Sequence, residues 1–492
     1  MKLTLLNRTS NFLSTVSGSA LTCYSGQGLV TPEQAAESGK CASIFADVYK
    51  SGHHTTLQHV NLNIGISGVS RMFVWKFLHN HHFYNSEQIS QRFVSAEKQT
   101  NGMSVFMPNA VYQVKARKLL DTYDKLKDIL VSYFEKGHPN NFAVKKAQEF
   151  ARYVLPQNMQ CELYHSISLV TALRYINACK NQVGVSGVVE EATIFGQQLR
   201  KLLIDYKPQL EEYIADAETE PAHDPGVNPY NTFGVKLVSD MKNNVNVYNV
   251  SPILWDLPEE DLINYVHKLK PYTVVSDGIN LGTINMVSRM SLSCDAQNQR
   301  HRTTTRYTPS ILDGFVQYKN EILKLVKTEE NDIAGIIDTK VFYTPELFKS
   351  VPEALELYAR TMHDLYKFIY AEYIEISDIM SDDKFLDELF LLLPNSHMVD
   401  VFESYHIGDF INNSQLRMCR NAQEEISNLR LEQIRQVTEK CPTDDPGILG
   451  LMAPPCVNRH RFAIYPTCPE GKRFCGTKVW ENKDNWIRPR IY

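Results

Sequence analysis

The densest concentration of chemically capable residues is a cationic cluster in the second half of the chain. It consists of Gln297 followed by the triplet Arg300, His301 and Arg302. Neighbouring cations repel one another, so such a triplet is costly unless it meets an anion. The planar guanidinium group suits a phosphate or the edge of a pyrimidine better than an ammonium group does. Taken alone, the triplet fits an exposed helix better, with Gln297 and Arg300 on one face.

A second polar set lies in the first half of the chain, in a segment that can clamp a phosphate and orient a base. Its members are Glu87, Gln88, Ser90, Gln91 and Arg92. No evident base and orienting acid accompany Ser90, which argues against a nucleophilic serine. Arg152 stands just before Leu155-Pro156. An exposed arginine near a helix end explains Arg92 or Arg152 about as well, so both interpretations stay open here.

Four cysteines crowd into the proline-rich end of the chain, at Cys441, Cys456, Cys468 and Cys475. A zinc ion held by four thiolates would stabilise a segment with little core of its own. No Cys-x-x-Cys pair supports this, and free thiols or disulfides are the alternative. The other six cysteines lie among apolar neighbours, which indicates buried thiols.

The elements that must position these residues follow a repeated order on either side of an acidic, turn-rich linker at 216–231. In the first half we predict a strand at 1–8, and a helix from Thr31, as N-cap, to about Tyr49. A strand at 60–66 and long helices at 108–136 and 143–205 complete this half.

In the second half we predict a helix beginning at 257–260, a strand at 279–290, and helices at 345–378 and 383–437. Both halves contain Leu-Pro before a long helix, and Lys180 and Arg417 follow their prolines by 24 and 23 residues. This shared order indicates an internal duplication.

The motifs resemble those of the flavin-dependent thymidylate synthases. Five segments carry the resemblance: Gln297–Arg302 (Q-x-x-R-H-R), Ser86–Phe93 (S-x-N-E-x-S-x-R-Y in the family), Arg152–Pro156 (R-x-V-L-P), Leu416–Ile426 (L-R with A-Q-x-E-I) and Gly52–His59 (G-H-x-T-x-x-x-H). The departures are Gln58 for a glutamate, Glu424 for a tryptophan, no arginines beside His79, and no N-E before Arg306. Neither half holds the complete set, but the halves complement each other.

The resemblance implies an α+β fold of two tandem repeats, each an antiparallel sheet packed with long helices, together forming a pseudo-dimer. The expected domains are a first repeat (1–215), the linker (216–231), a second repeat (232–440) and the cysteine-rich tail (441–492). It also implies one hybrid nucleotide site to which both repeats contribute residues, and a homodimer that acts as a pseudo-tetramer.

The implied reaction is the reductive methylation of dUMP to dTMP, with FAD as cofactor and NADPH and methylenetetrahydrofolate as co-substrates. Arg417 and Ser90 would be catalytic. The residues expected at the nucleotide are Gln297, Arg300, Glu87, Gln88, Ser90, Gln91, Arg92, Arg152 and Arg417. The residues expected at the flavin are His53, Thr55, His79, Arg300, His301, Arg302 and Asn412.

Composition limits the alternatives. The net charge of −5 argues against a nucleic acid polymer as ligand. No apolar run approaches the roughly 20 residues that span a bilayer, so we expect a cytoplasmic protein without a membrane partner. Because the segment 84–90 and the missing N-E depart from the family, another pyrimidine nucleotide such as dCMP, or another one-carbon form, stays possible. A non-catalytic nucleotide-binding protein is a further alternative.

Overall fold

The computed structural model describes residues 1–26, 28–80, 83–96, 105–107, 111–221, 228, 230, 233–252, 282–379, 383–441, 447–482 and 484–489. The chain forms two compact units, and neither is a continuous stretch of sequence. Unit 1 consists of 1–120, 155–227 and 372–392, and unit 2 consists of 121–154, 228–371 and 393–492. Each unit therefore takes one segment from the opposite half of the sequence.

Unit 1 is built on a four-stranded antiparallel sheet in the order β1-β2-β4-β3. The strands are β1 (Lys2–Arg8), β2 (Asn61–Ser70), β3 (Tyr84–Gln88) and β4 (Gln160–Ser168). The predicted strands at 1–8 and 60–66 are confirmed. In β2, Leu62, Ile64 and Ile66 face the core and are fully or almost fully buried, the alternation expected of a half-buried strand.

The predicted helix from Thr31 to Tyr49 is two helices. Thr31 caps the first with a complete capping box to Gln34. The chain then turns at Gly39, whose φ of +66° is a conformation that glycine adopts without strain. The helices that begin in the first half of the sequence are α1 (Phe12–Tyr24), α2 (Pro32–Glu37), α3 (Cys41–Lys50), α4 (Arg71–Lys76), α5 (Gln113–Phe134), α6 (Asn140–Ala151), α7 (Leu169–Asn181), α8 (Val189–Tyr206) and α9 (Glu211–Thr219).

The long helix predicted at 143–205 is wrong, because β4 interrupts it. Cys161, Leu163 and Ile167 are buried on one face of β4, while Tyr164 is exposed on the other. The core-facing position between Leu163 and Ile167 is His165, which is fully buried and bonds through Nε2 to the Tyr175 hydroxyl at 3.1 Å. A polar residue on the apolar face hid the two-residue period of the strand.

Unit 2 repeats the same sheet in the order β5-β6-β8-β7. The strands are β5 (Val245–Pro252), β6 (Gly282–Ser291), β7 (Thr305–Tyr307) and β8 (Met398–His406). The predicted strand at 279–290 corresponds to β6, although residues 279–281 lie outside the described part, as does the helix predicted to begin at 257–260. Identical strand order in both units shows the tandem duplication.

The predicted helix at 383–437 is also interrupted by a strand, β8. Asp400 and Glu403 are buried in it, and Asp400 accepts from two guanidinium nitrogens of Arg289, Nε and Nη2, each at 2.9 Å. Buried acids with such partners obscure a strand in the sequence. The remaining helices are α10 (Phe233–Ser239), α11 (Leu292–Asn298), α12 (Ile311–Gln317), α13 (Lys319–Lys327), α14 (Ile333–Ile337), α15 (Glu346–Lys349), α16 (Pro352–Ile379), α17 (Asp383–Phe390), α18 (Ile407–Met418), α19 (Glu424–Glu439), α20 (Pro455–Arg461) and α21 (Asp484–Ile487).

The exchanged segments are held by matching backbone hydrogen bonds. In unit 2 the Ser396 amide donates to the Tyr153 carbonyl at 3.0 Å, and in unit 1 the Asn158 amide donates to the Leu391 carbonyl at 2.8 Å. Both donors stand two residues after the proline of a Leu-Pro pair. The segment that precedes each Leu-Pro therefore belongs to the unit of the other repeat.

The end of the chain is part of unit 2 and contributes to its core. Leu451 and Met452 are fully buried in a cluster with Val245, Tyr405 and other residues of the sheet and its helices. The predicted linker begins inside α9, which runs to Thr219. Within the described residues, no helix is long and apolar enough to cross a membrane.

Candidate functional site

The candidate site of unit 2 begins at the helix α11, which leads into the cationic cluster. Ser291 ends β6 and caps α11 by accepting the Cys294 amide at 3.0 Å. Glu425, at the start of α19, receives the Ser291 amide at 2.7 Å and the Ser291 hydroxyl at 2.5 Å. This buried carboxylate therefore ties the start of α11 to α19.

A chain of polar contacts continues from Glu425 to Arg152. The Tyr153 hydroxyl donates to Glu425 at 2.8 Å and accepts from the Gln423 side-chain amide. The Gln423 oxygen in turn accepts from the Arg152 guanidinium group at 2.5 Å. Arg152 is 9 % exposed, which rules out the surface-arginine interpretation. An arginine from the first half of the sequence thus meets Gln423, which comes from the second half.

Arg417 lies near the end of α18 and contacts the other end of α11. Its guanidinium group donates to the Gln297 carbonyl at 2.6 Å. The side-chain oxygen of Gln297 is buried and accepts no hydrogen bond from the described residues. Burial lowers the pKa of His301 to about 3, and the charges of Arg417, Arg430 and Arg300 act in the same direction. His301 is therefore a neutral imidazole at neutral pH, between arginines that carry charge.

A buried polar network supports α11 from behind. Glu403 on β8 accepts from the Asn298 amide and from the Tyr405 hydroxyl, each at 2.7 Å. Arg430 donates to Tyr405 at 3.1 Å and to Asn413 at 3.0 Å. These contacts fix the residue that precedes the cationic triplet by two positions, since Asn298 lies at the end of α11.

Unit 1 retains the cap contacts of this arrangement but has apolar residues where unit 2 has Arg152 and Gln423. Ser70 caps α4 and binds the Glu191 carboxylate through its amide, at 2.7 Å, and its hydroxyl, just as Ser291 binds Glu425. The position two residues before Glu191 is Val189, however, where unit 2 has Gln423. The residue three before the second Leu-Pro is Phe390, where unit 2 has Arg152. Unit 1 is thus apolar where unit 2 holds this arginine.

The predicted pairing of Lys180 with Arg417 is wrong by one residue. Arg417 is the eleventh residue of α18, and the eleventh residue of α7 is Cys179. Cys179 is buried like Arg417, whereas Lys180 is exposed. The cation has therefore been lost in the first repeat. The spacings of 23 and 24 residues differ because Lys180 is one residue beyond Cys179, the position that matches Arg417.

The polar set at 87–92 lies in unit 1, on β3 and the turn after it. The Ser90 hydroxyl accepts the Arg92 amide at 3.2 Å, and Arg92 covers the Phe93 ring at 5.4 Å from its centroid. Gln91 is buried and donates to the Met159 sulfur at 3.6 Å. Glu87 is exposed on β3 and Gln88 is half-buried.

The residues expected at the flavin are distributed over both units. His53 and Thr55 are exposed in unit 1, and His79 contacts Ser86 there at 3.1 Å between Nε2 and Oγ. Arg300, Arg302 and Asn412 are exposed in unit 2 beside the half-buried His301. The exposed residues among them are accessible to a ligand, whereas His79 and His301 are half-buried.

The four tail cysteines differ in their surroundings. Cys441 packs against the core of unit 2. Burial raises the pKa of Cys456 to about 12, and the nearby thiols of Cys419, Cys468 and Cys475 act in the same direction. No group of three or more His, Cys, Asp or Glu side chains in the described part is arranged to hold a metal ion.

Sequence reasoning missed Tyr153 and the role of Glu425 as a cap partner. Tyr153 occupies the variable position of R-x-V-L-P, so the motif carried no signal for it. Glu425 had a signal in the motif, but its partner Ser291 lies 134 residues away. Only the fold brings them together.

A sheet of one strand order repeated in two units, with a cationic polar site retained in one of them, defines a tandemly duplicated α+β protein. The chain belongs to the thymidylate synthase complementing protein family, whose profile matches residues 4–182 and 258–443.

Individual relatives are similar at low identity. A flavin-dependent thymidylate synthase of Clostridium tetani is 26% identical over 187 residues, which are 36% of this chain and 72% of the relative. One of Pyrococcus furiosus is 23% identical over 169 residues, 34% of this chain and 66% of the relative. One of Nitratidesulfovibrio vulgaris is 28% identical over 127 residues, 25% of this chain and 48% of the relative.

Among solved structures, a flavin-dependent thymidylate synthase of Helicobacter pylori complexed with FAD and dUMP is similar at 16% identity. The match covers 44% of this chain and 99% of that chain, with a TM-score of 0.31.

Proposed function

We propose that the protein is an enzyme that methylates dUMP reductively to dTMP, with FAD as cofactor and NADPH and methylenetetrahydrofolate as co-substrates. The observation that carries the proposal is the cationic polar site of unit 2. It combines Arg152 with the Gln297, Arg300, Arg417 and Gln423 positions of the family motifs. Unit 1 keeps the same capping frame and has lost these groups, which supports a single nucleotide site per chain.

The residues of the site suit a pyrimidine nucleotide in two ways. Arg417 and the buried Gln297 oxygen offer a donor and an acceptor to the edge of a base. Arg152 offers a charge-assisted hydrogen bond to a phosphate, and the resemblance adds Ser90 and Arg92 from the first repeat. Arg417 would stabilise negative charge that develops on the base during the reaction.

The residues proposed for FAD are His53, Thr55, His79, Arg300, His301, Arg302 and Asn412. Cationic Arg300 and Arg302 suit its pyrophosphate, and neutral His301 offers a ring nitrogen for hydrogen bonding. When bound, FAD supplies the electrons of the reductive step. The protein itself would then bind the base and keep the His301 imidazole uncharged.

The proposal is tested by the absorption spectrum of the purified protein and by product analysis. We expect the flavin bands, and dTMP from dUMP with NADPH and methylenetetrahydrofolate. A methylated product from dCMP alone would change the substrate. A protein without flavin that still binds dUMP would support the non-catalytic alternative and overturn the enzyme.

We also propose a homodimer in the cytoplasm. The relevant observation for the location is that all ten cysteines are free thiols, which suits a reducing compartment. A homodimer would assemble four repeats, the number that the resemblance implies. Light scattering coupled to size-exclusion chromatography tests the assembly, and a monomer at the concentration of assay would contradict it.

A further inference from the structure

We propose that Glu425, Tyr153 and Gln423 form a directional relay that positions the Arg152 guanidinium group for the phosphate of the nucleotide. This inference rests on the proposed function and adds three positioning residues to it. All four residues lie in unit 2, although Arg152 and Tyr153 come from the first half of the sequence.

The direction of every bond in the relay follows from Arg152. A guanidinium group only donates, so the side-chain oxygen of Gln423 must face Arg152 and accept from it, at 2.5 Å. The side-chain nitrogen of Gln423 then donates to the Tyr153 hydroxyl oxygen. The Tyr153 hydroxyl in turn donates to the Glu425 carboxyl group at 2.8 Å, which also receives the Ser291 amide and the Ser291 hydroxyl.

The neutral oxygen of Gln423 suits a positioning role. It fixes one nitrogen of the guanidinium group without cancelling its charge, as a carboxylate at position 423 would. The backbone of Arg152 is held as well, because the Asn395 side-chain amide donates to its carbonyl at 2.8 Å. Arg152 is thus restrained at its guanidinium group and at its backbone, which orients the side chain for an anionic ligand.

The first repeat supplies an internal comparison. Ser70 and Glu191 make the same cap contacts as Ser291 and Glu425. Where unit 2 has Gln423, Tyr153 and Arg152, unit 1 has Val189, Leu391 and Phe390. Capping the helix therefore does not require the relay. Burying polar groups is unfavourable unless they form hydrogen bonds. If these positions served only to stabilise the fold, the apolar residues found in unit 1 would be sufficient in unit 2 as well.

The relay is tested by comparing binding of dUMP with binding of deoxyuridine, which lacks the phosphate. Tyr153→Phe keeps the buried ring and removes only the hydroxyl, and Gln423→Met keeps the side-chain volume. We expect each to weaken dUMP binding about tenfold, the effect of one lost hydrogen bond to a charged partner, and to leave deoxyuridine binding unchanged. In turnover, KM for dUMP should rise at constant kcat.

Gln423→Glu gives a second, independent measurement. It retains an acceptor for Arg152 but adds a negative charge, so the loss of dUMP binding should exceed that of Gln423→Met. Glu191→Gln is the matched control in unit 1. It should lower the melting temperature and leave the ratio of dUMP to deoxyuridine affinity unchanged.

Equal losses for dUMP and deoxyuridine, or an unchanged affinity ratio in folded Tyr153→Phe and Gln423→Glu, would overturn the relay. Failure of the wild-type protein to bind dUMP would instead reject the proposed function itself. The two failures are therefore distinguishable.

Discussion

At the residue scale, the proposed nucleotide site depends most directly on Arg417 and Arg152. Arg417→Ala and Arg152→Ala should each weaken dUMP binding by about 1.5–3 kcal/mol, because each removes a charge-assisted hydrogen bond. The resemblance extends this expectation to Arg92→Ala. Titration calorimetry with dUMP checks the three variants, with Lys180→Ala as a neutral control because Lys180 is exposed. If only Arg417→Ala weakened binding, or only the variants of Arg92 and Arg152, a nucleotide site formed by both halves of the sequence would be rejected.

Glu424, which stands where the family has tryptophan, should make stability depend on pH. Burial raises its pKa from 4.5 to about 7, although the Glu346 amide and the Tyr343 hydroxyl bond to it. A raised carboxyl pKa contributes stability that is complete below pH 4.5 and is lost as the pH rises through 7. Glu424→Gln removes this loss while keeping an acceptor oxygen.

As the pH rises from 4.5 to 7, we therefore expect the free energy of unfolding of Glu424→Gln to increase relative to that of the wild type, by on the order of 3 kcal/mol at most. Urea unfolding of both proteins across this range measures the difference. A constant difference at all pH values would mean that Glu424 ionises normally.

At the scale of elements, the two capped helices should respond differently to the same change. Ser70→Ala and Ser291→Ala each remove an N-cap and should cost about 1 kcal/mol of stability. Only α11 leads into the Gln297–Arg302 cluster, so only Ser291→Ala should also weaken dUMP binding. Thermal unfolding and dUMP titration of both variants check this. Equal weakening by Ser70→Ala would show that the cap of unit 1 matters to the ligand as well.

The sequence predicts a zinc site formed by the four tail cysteines. Their surroundings in the structure give different expectations for Cys475 and Cys441. If zinc binds there, Cys475→Ser should remove it, since Cys475 is one of three thiols near Cys456. Cys441→Ser should not, because Cys441 packs in the core. Elemental analysis of protein purified without added metal measures the content. Absence of zinc from the wild type, or its retention in Cys475→Ser, would end the prediction.

At the scale of the whole molecule, duplication followed by divergence should leave one working cofactor site. Unit 1 has Cys179 at the position of Arg417 and lacks both arginines beside His79. We expect about one FAD per chain in a titration of the apoprotein, where two intact repeats would bind two. His53→Ala and His301→Ala should both weaken that one binding event. Two equivalent flavins per chain would show that both repeats still function.

How far the sequence predicted the fold differs between its elements. The motifs at 152–156, 297–302 and 416–426 and the repeated Leu-Pro were sufficient to predict the duplicated α+β fold, and they contain Arg152, Gln297 and Arg417 of the candidate site. They are local patterns, in which residue types and short spacings carry the signal. The strands β4 and β8 were missed because His165, Asp400 and Glu403 occupy core-facing positions. Each is stabilised there by a hydrogen-bond partner outside the strand, and the partners of Asp400 and Glu403 lie more than 100 residues away in sequence.

By itself, then, the sequence determined which chemical groups the protein has and that it has them in two unequal copies. Only the tertiary structure decided which of them meet. The segments 121–154 and 372–392 join the opposite units, so Arg152 reaches Gln423 across 271 residues of chain. The physical reason is that a buried polar group must form a hydrogen bond, and the packing of the tertiary structure determines which partner lies within reach. No local pattern records that choice.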